Sequence, residues 1–447
     1  MAYALKPHQV VGRDTLVARA RLPEEYIRHF ILADEQRVGK CAQGLTAAAE
    51  LGVRRVAVLC KAIGRDNWIE QHDIWTPDRP FKLWVESYNR YTRNADVQAS
   101  LRQFKPDILI LDEAQWIRNQ DSKSTMLLYG DNCEGDGDVS HAGLVWIMSG
   151  TLAPNNAGEL WTHLYALWEW PYDYREHIDR YTRWSMGDYG PRFWGLNEEH
   201  APELKRFLRK ISLRRLFSEV NPASGKPVWQ HVTLTPKASL AAIHRLEKNP
   251  AVRRVLDRII AREEFPETEE GEAAEKALDD TPLATLLRLI GEAKAPLAVE
   301  HVRDMLDDRQ AEHVLLGAWH HPVLDALERG LKKAKLRVLR VDGKTPQPKR
   351  MAMQKAWLRG EADVFLGQLA ACGTSIDLSR ADCVVFAESS WAPDDNLQFV
   401  MRANNLAKQT PLPVDVLGLA NSTDVGVQNV NARKGEQSSQ LWEDEAA

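Results

Sequence analysis

A Gly-Lys pair, Gly39–Lys40, ends the segment ADEQRVGK and opens the amphipathic stretch Cys41–Leu51. A glycine turn ahead of a helix aims backbone N–H groups at an anion, and the helix start favours negative charge. A lysine at that point reaches the β- and γ-phosphates of a nucleotide, and the next residue normally offers a hydroxyl to Mg2+. Here the next residue is Cys41, and Arg37 stands where a complete phosphate loop has its first glycine. The plain alternative is a helix N-terminus with a surface lysine. A second group, LDEA at Leu111–Ala114, follows the apolar run DILI. A carboxylate at the end of a buried parallel strand lies where α/β sheets bind ligands. Asp112 would hold Mg2+ through water, and Glu113 would orient or deprotonate an attacking water. Acids are also favoured at a helix start, which is the plain reading of the second group. Together the two groups appear in the order that nucleotide hydrolysis needs.

The elements around them read as strand–helix alternation. Val56–Cys60, Asp107–Leu111 and Leu144–Met148 are short apolar runs of the kind that form buried parallel strands. Val314–Ala318, Arg337–Val341, Asp363–Gly367 and Cys383–Ala387 repeat the pattern, with helices expected at Pro322–Lys335 and Lys349–Arg359. The expected fold class is α/β: two lobes, each a mostly parallel sheet flanked by helices. The expected division is a first lobe over 1–225, a helical connector with an acidic stretch over 226–293, a second lobe over 294–432 and a polar tail over 433–447.

Between the lobes' motifs, Trp161–Trp194 is crowded with aromatics, Tyr189 among them, and Leu204–Arg215 carries six basic residues. The aromatics would stack on bases or pack a core. The basic stretch would bind nucleic acid or form a solvated helix face. His320–His321 reads as a turn after a strand rather than a metal site.

The chain has 447 residues, 44 % hydrophobic and 27 % charged, with net charge −5. That is ordinary globular usage. It excludes a uniformly basic DNA-coating protein, so a nucleic-acid site must be a local patch. Five scattered cysteines without a CxxC pair argue against a disulfide framework or zinc site and fit a reducing compartment. With no apolar signal core and no run of ~18 apolar residues, a soluble, cytoplasmic protein is expected.

The motifs resemble, in order, those of the superfamily-two helicases, and within them the Swi/Snf-type DNA translocases. LKPHQVVG (Leu5–Gly12), DEQRVGKC (Asp34–Cys41), LDEAQWIRN (Leu111–Asn119), SGTLAPNN (Ser149–Asn156), ELWTHLYAL (Glu159–Leu167) and LRRLFSEV (Leu213–Val220) carry the likeness in the first half. RVDGKTPQPKR (Arg340–Arg350), AACGTSIDLSRADCVVFAESSWAP (Ala370–Pro393) and LQFVMRANNLAKQ (Leu397–Gln409) carry it in the second. AACGTSIDLSRADCVVFAESSWAP and GEAKAPLAVEHV (Gly291–Val302) are nearest to the annealing-helicase (HARP-like) branch.

The resemblance implies two RecA-like lobes and the cofactors ATP and Mg2+. Gln9 would read the adenine. Gly39, Lys40, Cys41 and Gly373 would surround the phosphates, and Arg402 would be the arginine finger. Gln115, Ser149 and Thr151 would couple ATP state to lobe movement. Lys61, Ser87, Tyr88, Lys344 and Thr345 would contact DNA, mainly at phosphates. The implied activity is DNA-dependent ATP hydrolysis that moves the protein along duplex or branched DNA, in a minimal bacterial or viral motor. Three departures bear on it: Arg37, Cys41, and Asn405 in the place of a second finger arginine. They leave open a catalytically weakened nucleotide-binding clamp. A strand-separating or RNA-directed helicase is a further alternative.

Overall fold

The computed structural model describes residues 4–23, 29–62, 64–153, 156–187, 190–250, 252–253, 256, 282–372, 376–390 and 393–424. Gly373, Tyr189, the acidic stretch and the polar tail lie outside the described residues. The chain divides into two compact units. One holds the residues up to Trp184 together with Trp194–Val220, and the other holds Ser185–Phe193 and the chain from Asn221 onward.

The first unit is built on strands β1 (Phe30–Leu32), β2 (Arg55–Cys60), β3 (Lys82–Ser87), β4 (Ile108–Asp112) and β5 (Leu144–Met148). Strands β6 (Thr182–Gly187) and β7 (Gly190–Leu196) pair with each other alone, and β8 (Ser212–Leu213) returns to the main sheet. The sheet order is β3-β2-β4-β5-β1-β8, and every pair is parallel. Successive strand side chains point to opposite faces, so each strand feeds two cores. Leu109, Leu111, Val145 and Ile147 enter one core, and Ile108, Ile110, Trp146 and Met148 enter the other. This two-sided burial is why these runs are apolar throughout rather than alternating.

The second unit contains β9 (Val228–Leu234), β10 (Val314–Ala318), β11 (Val338–Val341), β12 (Val364–Gln368), β13 (Cys383–Phe386) and β14 (Pro413–Leu419). Its order is β11-β12-β10-β13-β14-β9, again all parallel. Its strands alternate in the same way: Val314, Leu316 and Leu366 face one core, while Leu315 and Phe365 face the other.

One expectation is corrected, and one open alternative is decided. The region expected as a helical connector opens with an edge strand, β9, hydrogen-bonded to β14 over its whole length. Its side chains are mostly exposed, so apolar periodicity could not reveal it. The aromatic stretch supplies core rather than a base-stacking surface. Trp161, Trp168, Trp170 and Tyr181 are buried, and Trp170 packs against Tyr172, Tyr181 and Phe207. Among the described residues, no helix is long and apolar enough to cross a membrane.

Candidate nucleotide site

The motifs DEQRVGKC, LDEAQWIRN and SGTLAPNN fall at the carboxyl ends of parallel strands β1, β4 and β5, the edge at which open α/β sheets take ligands. The loop Ala33–Gly39 leaves β1 and enters helix Lys40–Leu51. Gly39 has φ 97°, and a Cβ there would lie 2.1 Å from Gln9 Nε2. Only glycine suits both the left-handed backbone and that close approach. Gln9 is buried behind the loop: its Oε1 accepts from Lys6 N at 2.9 Å, and its Nε2 donates to Val38 O at 3.4 Å. Arg37 also adopts the left-handed region, with φ 67°. The backbone thus keeps the shape a glycine would give, at the strain a larger residue pays there.

The Lys40 ammonium donates to Asp34 O at 2.6 Å and Glu35 O at 3.2 Å, the loop's own carbonyls. The Asp34 side chain is fully buried. Its carboxylate accepts from Gln43 Nε2 at 3.1 Å and from the forked guanidinium of Arg215, with Nε to Oδ1 at 3.0 Å and Nη2 to Oδ2. Gly150 packs against the loop, where a Cβ would meet Asp34 O at 3.2 Å.

Asp112 ends β4. Trp68 Nε1 donates to its Oδ2 at 2.8 Å, and the Tyr88 hydroxyl donates to its carbonyl at 3.1 Å. Burial, with the charge of Glu113 beside it, pushes the Asp112 carboxyl up to about 6, against the Trp68 hydrogen bond and Lys40. Glu113 sits at φ 52°. Its Oε2 accepts from Gln115 Nε2 at 2.7 Å; Gln115 Oε1 accepts from Ser149 Oγ at 2.6 Å; Ser149 Oγ accepts from Thr151 N at 3.1 Å. The three residues expected to couple are therefore one hydrogen-bonded chain that ends on Glu113.

For a hard cation, the Asp112 carboxylate has the right chemistry, acting through water. Cys41 does not. Burial pushes its thiol well above its ordinary value, and Asp112 raises it further. A neutral, soft sulfur group is a poor partner for Mg2+.

The residues expected at DNA divide. Lys61, at the end of β2, has its Nζ 5.7 Å from the ring centroid of the half-exposed Trp116. Ser87 and Tyr88 are corrected: both are buried. Ser87 Oγ accepts from Arg90 N at 3.3 Å as a helix cap, and Tyr88 is spent on Asp112. In the second unit, Lys344 is exposed on the loop after β11. Thr345 Oγ1 donates to Asp342 Oδ1 at 3.1 Å and shapes that loop. Arg402 lies in the last turn of helix Pro393–Ala403, and its carbonyl accepts from Leu378 N at 3.0 Å. Asn405 Oδ1 accepts from Ala407 N at 2.8 Å and Lys408 N at 3.1 Å, so it caps a turn. Lys408 Nζ donates to Ala381 O. The His320 ring bonds Glu388 at 2.8 Å at the start of helix His321–Lys333, as expected of a turn after a strand.

Sequence reasoning missed Trp68, Arg214 and Arg215 as parts of the site. Trp68 gave no signal. The two arginines were inside a basic run, where charge alone suggested a surface.

Residues 298–406 match the helicase conserved C-terminal domain. The SWI/SNF-related matrix-associated actin-dependent regulator of chromatin subfamily A-like protein 1 of Drosophila melanogaster is 25 % identical over 427 residues, covering 91 % of this chain and 53 % of the relative. Its Caenorhabditis elegans homolog is 24 % identical over 430 residues, covering 91 % and 58 %. The chain is similar to Swi/Snf-related superfamily-two helicases over most of its length. The ISWI chromatin-remodeling complex ATPase CHR17 of Arabidopsis thaliana is 26 % identical over 459 residues, covering 92 % of this chain and 40 % of the relative. The chain spans about half the length of the curated relatives it matches. A solved Sulfolobus solfataricus SWI2/SNF2 ATPase core in complex with dsDNA aligns at TM-score 0.42 and 15 % identity, over 99 % of this chain and 95 % of the other.

Proposed function

We propose that this chain is an ATP-dependent motor that moves on duplex or branched DNA. The observation that carries the reading is the chain of contacts Glu113–Gln115–Ser149–Thr151, beside a phosphate loop whose lysine lies at the same sheet edge. A carboxylate fixed by a carboxamide can orient a water and take its proton on an Oε atom. The carboxamide is in turn held by a serine, so any shift of the Ser149–Thr151 backbone changes the carboxylate's aim. Lys40 binds phosphate charge, and Gln9 backs the loop. Bound Mg2+ would neutralise phosphate charge, with Asp112 holding its water. Lys61 and Lys344 bind DNA phosphates, which position the duplex without reading sequence. The relatives carry chromatin-regulator and remodelling-ATPase names, and the matched domain is a helicase C-terminal domain, which supports the same class.

A second reading, a nucleotide-binding clamp with little turnover, is favoured by the neutral thiol of Cys41, by Asn405 being committed to its own turn and by the Lys408 ammonium being held on Ala381 O. Steady-state ATPase decides between them. The motor requires turnover that rises with duplex or forked DNA and vanishes in Lys40→Ala. Turnover at background with every nucleic acid establishes the clamp, and stimulation by RNA alone moves the substrate to RNA.

A further inference from the structure

We infer that Arg215, with Arg214 beside it, is a positioning residue that shapes the phosphate loop from behind. The inference rests on the nucleotide reading of that loop. Six basic residues between Leu204 and Arg215 looked alike in sequence, but the fold splits them. Arg206 and Lys210 are exposed on helix Ala201–Ile211, whose apolar face buries Leu204 and Leu208. The chain then enters β8, which pairs in parallel with β1, so residues 214 and 215 arrive alongside the loop that leaves β1. The backbones run together: Ala33 N donates to Leu213 O at 2.8 Å, and Glu35 N donates to Arg215 O at 3.0 Å.

Arg215 reaches three partners. Its guanidinium grips the fully buried Asp34 carboxylate with two nitrogens, donates to Gln43 Oε1 at 2.7 Å and donates to His8 O. Asp34 is in the loop, Gln43 is on the helix that the loop feeds, and His8 is in the helix that carries Gln9. One planar fork therefore fixes the loop relative to both of its neighbours. Arg214 completes the brace by donating to Ala33 O at 3.1 Å and Gly150 O at 2.6 Å, which ties the loop's root to the Ser149–Thr151 segment. The Lys40 ammonium rests on Asp34 O and Glu35 O, so the backbone that Arg215 anchors is the one that sets where Lys40 sits. A lysine at 215 could neutralise Asp34 but could not span the other partners, because it is a point charge without a fork.

The test measures binding of a fluorescent ATP analogue, and the ATP KM and kcat, on the full chain well below its unfolding midpoint. Arg215→Ala should raise Kd and KM roughly tenfold or more, the scale on which small misplacements act. DNA binding without nucleotide should be unchanged. Arg215→Lys should fall between Arg215→Ala and wild type. Arg206→Ala should leave analogue binding at wild type. Wild-type affinity in Arg215→Ala overturns the inference. If Arg215→Ala does not fold, wild-type affinity in Arg215→Lys and in Asp34→Asn overturns it instead. Lys40→Ala separates the two levels: if it binds the analogue normally the nucleotide reading fails, whereas loss there with no effect at 215 sinks the brace alone.

Discussion

Ser149→Ala tests the link between the phosphate-loop edge and Glu113. The serine is fully buried, and its hydroxyl makes two hydrogen bonds, to Gln115 Oε1 at 2.6 Å and from Thr151 N at 3.1 Å. Each is worth about 1 kcal/mol net, and a buried group left unpaired costs roughly 1–3 kcal/mol. Alanine removes one oxygen and creates almost no cavity, so the cost comes from Gln115 Oε1 and Thr151 N losing their partner. A loss of roughly 2–4 kcal/mol follows, read by urea unfolding. The functional consequence is more specific. Without Ser149 the Gln115 carboxamide is free to rotate, and Glu113 Oε2 loses a fixed donor. The variant should therefore lose kcat while keeping most of its nucleotide affinity, because neither residue contacts Lys40. Gln115→Ala should do the same, and the double variant should cost less than the two single costs added, by about 0.5–3 kcal/mol. Strict additivity in stability, or full kcat in Ser149→Ala, would refute the chain of contacts as a working unit.

Three more outcomes are expected. His163 and His177 are buried and neutral, pushed down to about 3 and about 4 by desolvation, against an ordinary 6.5. Their contribution is whole above pH 6.5 and is lost as pH falls toward 4, because the unfolded chain takes up the protons first. At pH ~5 that amounts to roughly 4 kcal/mol at ~1.4 kcal/mol per unit per group; His177→Gln should halve the pH dependence of the urea midpoint, and an unchanged midpoint between about pH 7.5 and pH 5 would contradict it. Cys41→Thr should raise Mg2+-dependent hydrolysis by supplying a hard hydroxyl in place of a neutral thiol; no gain in a steady-state assay would mean that the hydroxyl is not limiting. Lys344→Ala should weaken binding to all duplex sequences alike and lower the salt dependence by about one charge, measured by titration at several salt concentrations.

Much of this fold was legible because parallel strands buried on both faces must be apolar throughout. Leu144–Met148 and Val314–Ala318 have the boundaries that their apolar runs suggested. The strands that escaped notice had other reasons to form. Phe30–Leu32 is three residues long, and Ser212–Leu213 is two. Val228–Leu234 is an edge strand held by backbone pairing to β14, with little side-chain burial to announce it. The placing of Lys40, Asp112 and Gln115 close to one sheet edge was legible from motif order. Residue type misled where it stood for exposure. Tyr88 has the chemistry of a DNA contact but its hydroxyl is turned to Asp112 O, and Arg215 has the charge of a surface but its partner is a carboxylate with no solvent exposure.

The three departures from the family's motifs then separate grip from turnover. Arg37 occupies the left-handed backbone that glycine would have adopted, so the loop keeps its path. That path is held by groups remote from position 37: Gln9 against Gly39, Gln43 and Arg215 on Asp34. On the proposed reading nucleotide binding depends on the path and on Lys40, which Cys41 and Asn405 leave alone, and those two departures bear on turnover instead. A neutral thiol leaves a hard cation with one donor fewer, and an asparagine committed to a turn offers no charge to a phosphate oxygen. Since an arginine finger is worth ~10³-fold or more in phosphoryl transfer, dependence on Arg402 alone would lower the rate far more than the affinity. On the proposed reading, this arrangement predicts ordinary nucleotide affinity with slow, DNA-dependent hydrolysis.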